Sequence, residues 1–133
     1  MPKDNQRLKE LITNTNEEIQ KVANETAEKL NGLQNESQAL ANTINRIAGS
    51  IKAYQTDAEA MGLTEEEAKE KVEELGTQFR MNQFNLQEKQ NEMKELENQA
   101  NIDIRVLEGQ RNTYQSFLTE EESEEESSNN EEK

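Results

Sequence analysis

The sequence predicts an all-α fold, an antiparallel two-helix coiled-coil hairpin, and three observations lead to it. Apolar residues recur at alternating steps of four and three along most of the chain, the spacing of a narrow helical seam. Strong punctuation between Pro2 and Leu118 is confined to Met61-Gly62-Leu63-Thr64. Composition adds the third: of 133 residues, 33% are charged and 30% apolar, below the ~45–50% apolar content of ordinary globular domains. A thick core is out of reach for such a chain, which suits neither a sandwich nor an α/β fold.

Low hydropathy with a net charge of −14 also marks disordered chains, and periodicity decides against that reading. The first helix, residues 3–61, carries the stripe Leu8, Ile12, Thr15, Ile19, Val22, Thr26, Leu30, Leu33, Ser37, Leu40, Ile44, Ile47, Ile51, Tyr54 and Ala58. Two successive steps of four at Val22, Thr26 and Leu30 form a stutter, which relaxes a supercoil locally. Gly49-Ser50 is the natural place for a kink, yet the stripe stays in phase across it.

A turn at 62–64 follows. Gly62 supplies the permissive backbone that ends a helix. Thr64 with Glu67 three residues later forms a capping box, and Glu65, Glu66 and Glu67 suit the positive end of a helix dipole. The second helix, residues 65–118, carries Ala68, Val72, Leu75, Phe79, Asn82, Leu86, Lys89, Met93, Leu96, Ala100, Ile104, Leu107, Arg111, Tyr114 and Leu118, with the stutter recurring at 96, 100 and 104.

If the chain folds back at residue 63, facing residues have numbers summing to about 126, and the two stripes then match position by position, stutter included. The hairpin seam so predicted contains Ile19, Val22, Leu30, Leu33, Leu40, Ile47, Ile51 and Tyr54 against Leu107, Ile104, Leu96, Met93, Leu86, Phe79, Leu75 and Val72. Polar intrusions coincide: Ser37 faces Lys89 and Thr15 faces Arg111. One polar layer in a seam fixes register at some cost in stability, a simpler account of Lys89 than a buried lysine of lowered pKa.

Leu11, Ala23, Ala27, Phe84, Ile102 and Val106 lie outside the seam. Phe84 and Ile102 are eighteen residues apart, about five turns at 3.6 residues per turn, so the sequence predicts a second face for a partner or a further copy, most simply a four-helix assembly. Residues 119–133, TEEESEEESSNNEEK, hold eight glutamates and one lysine; like charges repel, and a disordered acidic tail is expected.

Chemistry is narrowed by what is missing. Without histidine or cysteine there is no Ser-His or Cys-His pair, no Cys/His zinc site and no disulfide. Catalytic carboxylates need a fixed separation in a desolvated pocket, and the Glu65–Glu67 and Glu73-Glu74 clusters on helix surfaces have neither. No glycine pair has phosphate-loop spacing. Lys21, Lys29, Arg46 and Lys52 are scattered along a helix rich in acidic and amide residues, in a field repulsive to phosphate. The expectation is a non-enzymatic adaptor with no catalytic residues, cofactor or metal, and with protein partners but neither nucleic acid nor membrane.

With no apolar run long enough for a span or a signal core, a soluble, cytoplasmic protein is expected. An assembly scaffold or viral accessory protein fits that composition. Two alternatives share it, a prefoldin-like holding chaperone and an acidic inhibitor of a basic nucleic-acid-binding protein. Prefoldin subunits assemble through β-hairpins between or beside their helices, for which the connection at 62–64 is too short.

Overall fold

Asp4 starts the first helix. Its Oδ1 accepts a hydrogen bond of 3.0 Å from the Arg7 backbone N–H, satisfying one of the donors that a helix N-terminus leaves unpaired. The computed structural model describes residues 2–131, with side chains through Leu118. Helix α1 is Asn5–Thr56 and helix α2 is Glu65–Glu131. They pack against each other as an all-α hairpin, and α1 passes through Gly49 and Ser50 without a break.

Both helix boundaries differ from those the sequence predicts. Helix α1 stops at Thr56 instead of 61. The Asp57 N–H still bonds to the Ala53 carbonyl at 2.9 Å, and the backbone bonds that come next return to Ala58 and Glu59 and belong to the reversal around Gly62. A separate turn follows. The Leu63 N–H bonds to the Ala58 carbonyl at 3.0 Å, and the Gly62 N–H to the Glu59 carbonyl at 3.0 Å. That pair of bonds is a Schellman cap with Gly62 at its left-handed position, and Gly62 has φ +72°. The predicted end of the second helix at 118 is where the apolar stripe stops. The expected disordered tail, 119–133, lies outside the residues whose side chains are described.

Thr64 opens α2 as a capping box. The Glu67 N–H donates to Thr64 Oγ1 at 3.1 Å, while Glu67 Oε1 accepts from the Thr64 hydroxyl at 3.1 Å and from its backbone N–H at 3.5 Å. Each of these bonds spans three residues, so the start of α2 is specified by four consecutive positions.

The fold divides into two compact units, Met1–Glu28 with Leu96–Lys133 and Lys29–Glu95. Each draws on both helices. In the first, Arg111 donates to Asn16 Oδ1 at 3.2 Å, and Lys3 Nζ reaches the Phe117 carbonyl at 3.4 Å and sits 5.5 Å from its ring centroid. In the second, Lys89 pairs with Glu36 at 3.1 Å. The pairs 16/111 and 36/89 have numbers within a residue of the predicted sum, so the register inside each unit is the one the stripes require.

Every position of the two stripes is buried or half-buried, whereas the side chains between them are mostly exposed. Burial is deepest at Ile47, Ala68 and Ala100 and at the polar Thr15 and Ser37. Adding a Cβ at Gly62 meets no neighbour, so the cost of Gly62→Ala is purely that of holding a left-handed backbone, about 1 kcal/mol. Urea unfolding followed by circular dichroism should show that loss, and Gly62→Asn should recover part of it.

Candidate functional site

Side chains that face inward and those that face outward offer different possibilities, and the inward ones come first. Ile19, Val22, Ile104 and Leu107 in the first unit are half-buried, as are Leu30, Leu33, Leu40, Ile51, Tyr54, Val72, Leu75, Phe79, Leu86 and Met93 in the second; Leu96 is also half-buried, and Ile47 is only 8% exposed. These residues fill the seam.

The polar layer around Lys89 differs from the sequence reading. Ser37, predicted as the neutral partner of Lys89, is 7% exposed, and its Oγ makes no hydrogen bond. The lysine stem is long enough to pass Ser37 and bring Nζ to Glu36 Oε2 at 3.1 Å and Glu92 Oε2 at 3.8 Å, the reach expected of an amphipathic side chain at a seam. Hydrogen bonding to Glu36, then the charges of Glu36 and Glu92, hold the ammonium above its ordinary value; partial desolvation opposes them, and Glu88 adds a little. Lys89 is therefore a charged clamp between helices, the opposite of a lysine deprotonated for chemistry. Thr15, by contrast, satisfies its hydroxyl on its own helix, donating to the Leu11 carbonyl at 2.6 Å.

Outside the seam, Leu11 and Ala23 are half-buried and Ala27 is exposed. In the same unit Ile102 and Val106 are 56% and 59% exposed and lie one turn apart on α2. In the other unit Phe84 is 64% exposed and Met81 62%, with Met81 three residues before Phe84 and so beside it on the helix surface. Residues Ala41, Ile44 and Asn45 of α1 and Gln83, Phe84, Leu86, Gln87 and Gln90 of α2 line a groove of about 510 Å³. Met81 is a member of this outward set that periodicity missed; its spacing from Phe84 was the available signal.

Ile44 falls level with Asn82 in the seam, and Asn82 donates its side-chain amide to the Gln78 carbonyl of its own helix at 2.8 Å.

Glu65–Glu67 cap and polarise the start of α2. Among the described residues no group of three acidic side chains converges as a metal site. No described helix is long and apolar enough to cross a membrane. Compared with known proteins, the chain matches no family model, no curated protein and no solved structure.

Two outcomes follow for the polar layer. Ser37→Ala removes a buried hydroxyl that has no partner, and such groups cost about 1–3 kcal/mol, so the variant should raise the urea midpoint. For Lys89 the folded pKa lies above the unfolded one, so its contribution is complete below the ordinary lysine value and fades as pH rises through the raised one. The small stability difference between the wild type and Glu36→Gln, reduced by solvent screening, should persist through neutral pH and close above about pH 10.5.

Proposed function

We propose that this chain is a non-enzymatic structural adaptor that works by protein–protein interaction, in the manner of an assembly scaffold, through the outward faces of its helices. The observation that carries the reading is the exposure of large apolar side chains where a helix can be met by another: Ile102 with Val106 in one unit and Met81 with Phe84 in the other. Contiguous exposed apolar side chains with a polar surround are what interaction surfaces present. Helix-in-groove recognition uses anchors at this three- and four-residue spacing.

Among the described residues no large side chain is fully buried. Fully burying one exposed Ile, Val or Phe contributes about 1.5–3 kcal/mol; these side chains are already partly covered, so each supplies a fraction of that as an anchor within a larger contact. The mechanism is geometric: the seam holds each helix in place, and the residues pointing away from it bind.

The test places a photo-crosslinking residue at Ile102 or Phe84 in the full chain, with Glu18, exposed and away from both apolar pairs, as the control position. Protein adducts at Ile102 or Phe84 but not at Glu18 are the expected outcome. Adducts equal at all positions, or none, would overturn the adaptor reading.

A further inference from the structure

We propose that the groove beside Phe84 is the seat of a second copy of this chain, related to the first by a two-fold axis. The inference rests on the interaction reading above and names one partner for it. Three observations converge on this patch.

The first is its neutrality. In a chain that is 33% charged, none of the residues lining the groove carries a charge: Ala41 and Asn45 on one wall, Gln83, Gln87 and Gln90 on the other, and Phe84 at the rim. Two copies with a net charge of −14 each repel at a distance, so an uncharged patch is where the two surfaces can approach with the least repulsion. Side-chain amides both donate and accept hydrogen bonds; a wall of glutamines is therefore complementary to another copy of itself.

The second observation is that knob and hole share one surface. Phe84 is 64% exposed and borders the groove it would enter on the partner. A two-fold contact demands this arrangement, because the same patch must supply both halves of the fit. Ile44 and Leu86 line the groove, so an incoming ring finds apolar side chains there.

The third is charge at the margins. Arg80 and Glu88 stand four residues before and after Phe84, about one turn to either side. A two-fold passing beside Phe84 with the α2 helices antiparallel sets each Arg80 level with Glu88 of the second copy. Among the described residues neither is engaged in an ion pair. The pair of contacts arises twice by symmetry and favours the antiparallel orientation over the parallel one, in which Arg80 meets Arg80 and Glu88 meets Glu88. Ile102 and Val106 lack such a setting, with Asp103 and Arg105 directly beside them in sequence.

Sedimentation velocity over a concentration series, with helicity followed by circular dichroism, tests the proposal on the full chain. The wild type should reach a dimer. Phe84→Glu should raise the dissociation constant by at least about tenfold, the loss expected of a central aromatic anchor, and should leave helicity unchanged because the ring is not part of the seam. Arg80→Glu and Glu88→Arg should each weaken the dimer, and the two together should restore it. A wild type that stays monomeric overturns the proposal, as does a dimer indifferent to Phe84→Glu or a double reversal that fails to rescue.

If Phe84→Glu loses helicity, Gln87→Glu, which places a charge in the groove from an exposed position, takes its place and should weaken the dimer by the same order. A dimer that depends on Ile102 and Val106 in place of Phe84 overturns the Phe84 seat and leaves the interaction reading standing. A monomer that still forms protein adducts at Ile102 does the same, and loss of adducts at both positions removes that reading itself.

Discussion

Two helices lying side by side can hide only one stripe each, and the rest of this structure depends on that limit. A stripe spaced by threes and fours gives every layer a single contact across the seam, so its side chains end half-covered. Among the described residues burial is deepest at Ile47, Ala68, Ala100, Thr15 and Ser37, one large side chain among small ones. Thr15 satisfies its hydroxyl on the Leu11 carbonyl of its own helix, whereas Ser37 Oγ makes no hydrogen bond.

The same limit explains how polar residues are handled. A lysine at a seam position lies on a stem that can leave the seam sideways, and Lys89 does so to reach Glu36 and Glu92. Asn82 has a short stem and turns inward to its own helix. One choice ties α1 to α2; the other keeps its hydrogen bond within α2. Residues of similar polarity on one stripe thus differ in whether they link the two helices.

Much of this was legible in the sequence because the controlling signals are local or periodic. The stripes, the turn glycine and the Thr64–Glu67 box need only residue identity and spacing, and the burial along both helices follows the stripes. The boundary of α1 was not legible in the same way. Apolar periodicity runs through Ala58, so the pattern continues into the reversal, whose backbone bonds already start from the Ala58 and Glu59 carbonyls. Asp4 escaped notice because the residue three positions on is Arg7, not the glutamate that completes a capping box. The partner of Lys89 was misplaced by one residue, since layer counting follows Cβ positions and a four-carbon stem does not stop there. The outward face was half legible: Phe84 and Ile102 stood out, but the groove takes residues from both helices, and the spacing along either one alone does not encode it.

The chain reversal at Ala58–Thr64 is closed entirely by bonds between residues at most five apart, while the links along the arms join residues separated by 53 and 95 positions. Loop-closure entropy rises with separation, so the cheapest contact to make first is the one next to the bend, and each layer formed shortens the loop that the next must close. Assembly of the arms is therefore expected to proceed like a zip fastener from the bend toward the chain ends, with sequence-near steps preceding sequence-distant ones.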